Sequence, residues 1–184
     1  MFIDNVVSHV RNRVDAFDQR VAGAIQFEAA RDSAHLELPA AYVIATGDDA
    51  GENQIQNGTL QTITDRFDVV VALRPDDDRG QAATADLHMI RQDLLRALVG
   101  WPPADDYEPI EYEGCDLLLI DRARVFYRFS FSSNWTLDTA ETWQGDELSS
   151  LPAFSEVDIT IDAMPPDGKI EAHARIYLTD QDDK

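Results

Sequence analysis

The residues that could do chemistry are plentiful in this chain but not arranged for it. Histidines stand at positions 9, 35, 88 and 173, and no two of them fall at the spacing of zinc ligands. The 35 acids supply carboxylate pairs of the kind used in glycoside hydrolysis, yet nothing raises one pair above another. The sequence has no glycine-rich phosphate loop and no Gly-x-Ser-x-Gly elbow. Cys115 is the only cysteine, which excludes an intramolecular disulfide and a multi-cysteine zinc site. It lies in Glu113-Gly114-Cys115-Asp116, among acids that keep a thiol protonated rather than activate it. Asp48, Asp49 and Glu52 are calcium-type ligands but lack the spacing and closing glutamate of an EF-hand loop. The expectation is a non-enzymatic protein with no catalytic residues, no cofactor and no metal.

Charge narrows the partners. The formal net charge is −20, from 35 acids against 15 bases. Such a surface repels phosphate and cannot form the basic patch that holds nucleic acid. It does suit a passage through which DNA slides without sticking. At 44% hydrophobic the chain can build a real core, so one domain, or one domain with an arm, is expected. Nothing approaches the roughly 18 consecutive apolar residues of a membrane span. Met1-Phe2-Ile3-Asp4-Asn5 lacks the basic flank and apolar run of a secretory signal, so synthesis in the cytosol without membrane contact is expected.

The elements that would have to position any site are clear in outline. Ile3, Val7, Val10, Val14, Phe17, Val21 and Ala24 recur at steps of four and three, which predicts one amphipathic helix over 3–31 with His9 on its solvated side. Pro39 opens a strand over 41–45, and the polar run 46–53 reads as a loop. Residues 61–74 alternate: Ile63, Phe67, Val69, Val71 and Leu73 share one parity, interrupted by Asp65. That is a half-buried antiparallel strand about 45 Å long at roughly 3.3 Å per residue, long enough to project beyond its own sheet. Pro75 to Gly80 predicts a turn, and Leu87, Ile90, Leu94, Leu98 and Trp101 mark the buried side of a helix over 82–99. Gly100 caps that helix and Pro102-Pro103 stop it.

Strands then follow at 110–112 and 117–120 around a turn at Gly114, and from Val125 to Phe131. Residues 136–155 read as a polar linker. Val157, Ile159, Ile161 and Ala163 alternate with polar residues, as do Ile170, Ala172, Ala174, Ile176 and Leu178. The Pro165-Pro166-Asp167-Gly168 turn between them predicts a hairpin, which is marginal in isolation and so needs a surface to dock on. The fold class expected is α+β. It has a single mostly antiparallel sheet with two helices packed on one face in the order α-β-β-α-β-β, plus a C-terminal β-hairpin. Residues 1–135 form the α+β domain and 136–184 a linker and hairpin arm.

Several blocks in this order resemble the lambda-type tail terminator proteins of long-tailed bacteriophages. They are Val10 to Ala24, Leu38-Pro39-Ala40-Ala41-Tyr42-Val43, and Gln61-Thr62-Ile63-Thr64-Asp65-Arg66-Phe67 leading into Val69-Val70-Val71. The strongest is Leu94-Leu95-Arg96-Ala97-Leu98-Val99-Gly100-Trp101-Pro102-Pro103, and Asp121-Arg122-Ala123-Arg124 with Tyr127 is a weaker fifth. The resemblance covers about residues 1–135 and leaves the hairpin outside. It implies a homohexameric ring at the head-proximal end of the virion tail, assembled in the host cytoplasm. The ring would cap the tail tube protein, end its polymerisation and give the head–tail connector protein a surface, with DNA passing through the lumen. A ring needs one heterologous contact repeated around an axis. Phe67, Val69, Trp135, Ile159 and Ile161 are the candidate subunit-interface residues, weighed against ordinary core positions. Rival readings are another head–tail connector or tail tube component, and an acidic inhibitor that mimics DNA and binds a basic partner.

Overall fold

The computed structural model describes residues 2–31, 36–74, 81–120, 124–162, 168, 170 and 172–177. By internal contacts the chain forms two compact units, Met1–Thr139 and Ala140–Lys184.

The first unit is a five-stranded sheet with helices. Its elements are α1 (Ile3–Arg13), β1 (Val21–Gly23), α2 (Ala24–Arg31), β2 (Ala40–Ala50), β3 (Leu60–Leu73), α3 (Gln81–Leu98), β4 (Glu111–Ile120) and β5 (Val125–Asp138). The strand order is β1-β2-β3-β5-β4, with β1 parallel to β2 and every other pair antiparallel. β3 is the spine, paired along all its length from Leu60↔Asp138 to Leu73↔Val125. Its alternation does what period two predicts. Phe67, Val69, Val71 and Leu73 face α1 and α3, where Val6, Val10, Ile90, Leu94 and Leu98 meet Phe129 and Phe131 of β5. Each such side chain, when fully buried, contributes about 1.5–3 kcal/mol relative to exposure. The opposite face carries a smaller cluster of Tyr42, Val70, Ala72 and Phe126, against which Phe27 of α2 packs.

The chain departs from the single helix expected over 3–31. α1 ends at Arg13, Val14 turns to φ −115°, ψ 90°, and a short 3-10 turn covers Asp15–Phe17. Asp18 and Gln19 then adopt left-handed φ of 45° and 65°. The apolar stripe misled because its residues are buried either way: Val14, Phe17 and Val21 are all in the core. What the break gains is strand pairing. Val21, Ala22 and Gly23 run beside Ala41, Tyr42 and Val43, and the Arg20 guanidinium donates to the Pro39 carbonyl at 2.9 Å.

Other differences have similar causes. Residues 46–50 continue β2 rather than forming a loop, past an irregularity between Ala45 and Gly47 where Gly47 takes φ 142°. Backbone pairing with β3 sustains this stretch although its side chains are solvated. Gly114 bends β4 at a register shift without ending it. α3 stops as expected, with Gly100 at φ 84°. The predicted turn at 75–80 and residues 165–167 of the predicted hairpin turn lie outside the described residues, and Gly168, which closes that turn, takes φ 80°.

The second unit contains α4 (Trp143–Ser150), where a linker was expected, and a hairpin of β6 (Glu156–Ile161) and β7 (Ala172–Tyr177). No residue of α4 is buried, so it offers no apolar stripe from which a helix could be read.

Candidate assembly surfaces

Among the described residues of the first unit, three groups of polar side chains bear on function. The first lies between α1 and the end of α3. The His9 ring stacks on Trp101 with centroids 3.7 Å apart and planes 9° off parallel. Its Nε2 is 3.0 Å from the Ala97 carbonyl oxygen, and Asn5 donates to the Pro103 carbonyl at 2.9 Å. The Gly-Trp-Pro-Pro stop is therefore the anchor of α1, and His9 is an anchoring residue rather than the solvated one expected. Burial lowers its pKa, opposed by the Ala97 carbonyl and assisted by Arg13.

The second is buried. Asp65, the interruption in the apolar row of β3, accepts a 2.7 Å hydrogen bond from the Tyr107 hydroxyl. Burial, followed by the bond and the charge of Asp65, pushes the Tyr107 pKa well above the usual tyrosine value. Tyr107 also meets the rings of Phe2 and Trp135. This carboxylate is engaged in holding the 101–110 segment to the sheet.

The third is the part of the sheet face beyond Phe27. Arg128 lies 2.9 Å from Asp116 and 3.9 Å from Asp68, which also accepts from the Ser130 hydroxyl at 2.7 Å. Arg66 pairs with Asp49 and, at 3.4 Å, with Glu113. Each arginine is thus held between two acids, and the patch remains net negative. It offers phosphate no net attraction.

Two apolar surfaces on strands stand out among the described residues. At the outer edge of the sheet, Leu117, Leu118, Leu119 and Ile120 of β4 are 51, 46, 44 and 61% exposed. Cys115 precedes them, exposed and unpaired, its thiol pKa pushed up by burial and Asp116 against the opposing charge of Arg91. In the second unit, the hairpin register pairs Val157 with Ile176, Ile159 with Ala174 and Ile161 with Ala172, so one side is apolar throughout. The other side carries Asp158 bonded to His173 and, at 2.6 Å, to Arg175. Among the described residues no group of three or more histidines, cysteines and acids is placed to hold a metal ion.

The residues singled out from sequence are distributed unevenly among these places. Phe67 and Val69 are core residues, 1% and 0% exposed, with Phe67 stacked on Phe131 at 5.5 Å. Trp135 is half-buried beside Tyr107. Ile159 and Ile161 are exposed on the hairpin. Sequence alone does not mark the strand 117–120 as an exposed surface, because four consecutive apolar residues read equally well as a buried strand.

Residues 3–141 match the family model described as phage tail terminator protein. The chain belongs to the phage tail terminator family. It is accordingly a structural component of a phage-type tail, from a family of structural rather than enzymatic proteins that assemble with other proteins of the particle. The match spans the whole five-stranded sheet and ends before α4. No curated protein matches the chain. A chain in the solved virion of a native gene transfer agent (GTA) particle is similar at 14% identity, covering 72% of this chain and 94% of that one, with a TM-score of 0.41.

Proposed function

We propose that copies of this chain close into a hexameric ring on the head-proximal end of the tail tube. The ring ends tube polymerisation and then presents its other face to the head–tail connector, while DNA passes through the lumen. The action is steric: one face complements the last ring of the tube, and the opposite face offers no tube-like surface for the next. The observation that carries this reading is the match to the tail terminator family across the complete sheet unit. The exposed apolar edge of β4 supports it, since natural monomers blunt such edges and assemblies use them. The net-negative sheet face is suited to a channel wall past which DNA slides. Ring contacts of this kind bury more than about 1,000 Å² each when stable.

Light scattering at several concentrations, followed by electron microscopy of tail tubes assembled with and without the protein, tests the proposal. A closed ring, alone or seated on tube ends of fixed length, is the expected result. Open filaments would identify a tube subunit instead. A monomer that ignores tube ends and binds basic proteins with steep salt dependence would establish the DNA-mimic reading.

A further inference from the structure

The exposed edge of β4 and the open hairpin are complementary in length, chemistry and charge. Residues 115–120 of β4 form a six-residue segment at the rim of the sheet, and β7 is a six-residue strand whose one strand partner among the described residues is β6. An edge of consecutive apolar residues is a template for a further strand, and a two-stranded hairpin is too small to be stable uncovered. Charge selects which strand of the hairpin fits. Within 115–120, β4 carries one acid, Asp116, and no base. β6 carries Glu156 and Asp158, whereas β7 carries His173 and Arg175 and no acid. Like charges directly opposite one another destabilise a sheet, and opposite charges stabilise it. Arg175 and His173 sit beside Asp158 within the hairpin, which leaves the basic strand along one rim and the acidic strand along the other.

We infer that β7 of a second copy adds to β4, extending the sheet to the order β1-β2-β3-β5-β4-β7-β6 across the subunit boundary. This is strand addition, in which backbone bonds supply affinity and the side-chain rows supply selectivity. The row Ala172, Ala174, Ile176 then continues the layer begun by Leu117 and Ile120, whose partners Tyr127 and Val125 face the same side as α1 and α3. Each chain gives a hairpin to one neighbour and receives one from the other, so the contact is heterologous and able to close. The inference rests on the ring reading above and specifies its seam.

Disulfide trapping tests it in the full-length chain. Cys115→Ser chains carrying Leu117→Cys or Ile120→Cys, on the side the apolar row of β7 is to join, are mixed with Cys115→Ser chains carrying Ala174→Cys or Ile176→Cys, and the assembled fraction is oxidised. A disulfide needs Cα atoms within about 7 Å, so covalent dimers of unlike chains are expected from β7 positions and none from Val157→Cys or Ile159→Cys on β6. Trapping from β6 alone would overturn the choice of strand. Bonds that form only when both cysteines share a chain would overturn exchange between copies. Rings that assemble with no trapping at any position would overturn the seam and leave the ring standing. Absence of rings, with tube ends supplied, would remove both.

Discussion

The Tyr107 hydroxyl donates to the Asp65 carboxylate at 2.7 Å, inside a core where Asp65 is 5% exposed. The bond joins the middle of β3 to the segment that follows the Trp-Pro-Pro stop. It accounts for the one polar residue in the apolar row of that strand. Removing the donor leaves a buried charge short of a partner. Tyr107→Phe is expected to lower stability by about 1–3 kcal/mol, read as an unchanged slope and a lower midpoint in urea. A midpoint within error of the parent would mean that water replaces the hydroxyl.

His9 gives the protein a pH dependence of defined sign. Burial against Trp101 lowers its pKa in the folded chain below the ordinary value of 6.5. The unfolded chain therefore takes up the proton first as pH falls. The stabilisation is fully present above about pH 6.5 and is lost as pH falls through the lower folded value. His9→Gln should flatten this slope, and a titration of the imidazole signals followed by nuclear magnetic resonance measures the folded value directly. A folded value of 6.5 would remove the dependence, and one above 6.5 would reverse its sign.

The left-handed pair Asp18–Gln19 yields a substitution whose effect has opposite signs in the two descriptions of the N-terminal segment. At φ 65°, Gln19→Gly relieves backbone strain of roughly 1 kcal/mol, so the variant should be as stable as the parent or more so. In one continuous helix, the same change would cost about 1 kcal/mol. Thermal melting of the two proteins decides between them.

Core and hairpin substitutions should separate folding from assembly. Phe67→Ala removes a ring stacked on Phe131 and is expected to cost about 3–5 kcal/mol in unfolding. Ile159→Lys and Ile161→Lys alter exposed positions and should leave unfolding nearly unchanged while abolishing ring formation in light scattering. Wild-type rings from the lysine variants would place the contact elsewhere.

The arginines of the sheet face should matter little to folding. Arg66 and its acids are substantially exposed, and exposed ion pairs contribute about 0–1 kcal/mol. Arg66→Ala should shift the urea midpoint by less than that range, and the shift should shrink further in salt.

The elements legible in the sequence are those whose apolar and polar residues separate onto two sides. In α3 and over much of β3 the two sides also differ in burial, whereas the hairpin shows its period although β7 is exposed throughout and β6 nearly so. The N-terminal segment was misread because Val14, Phe17 and Val21 satisfy the helical stripe while the backbone beneath them turns. The end of β2 and the whole of α4 were missed because solvated side chains carry no period to detect. The assembly surfaces were only half visible. Ile159 and Ile161 stand out by alternation, whereas Leu117 to Ile120 differ from a buried strand only by lying at the rim, which is a property of topology.

The pairing of β3 with β5 also governs how the chain reaches its fold. Its closest pair, Leu73 and Val125, is 125 − 73 = 52 residues apart, and its most distant, Leu60 and Asp138, is 138 − 60 = 78. Contacts so remote in sequence are slow to form, because a long loop must close before any of them stabilises it. During synthesis the spine strand has β2 on one side and no partner on the other until residues 125–138 leave the ribosome. Two apolar strand segments, 67–73 and 117–120, are both made within that interval. The period of greatest risk from misassociation therefore falls before the last quarter of the chain is translated, and chaperone dependence should be greatest there.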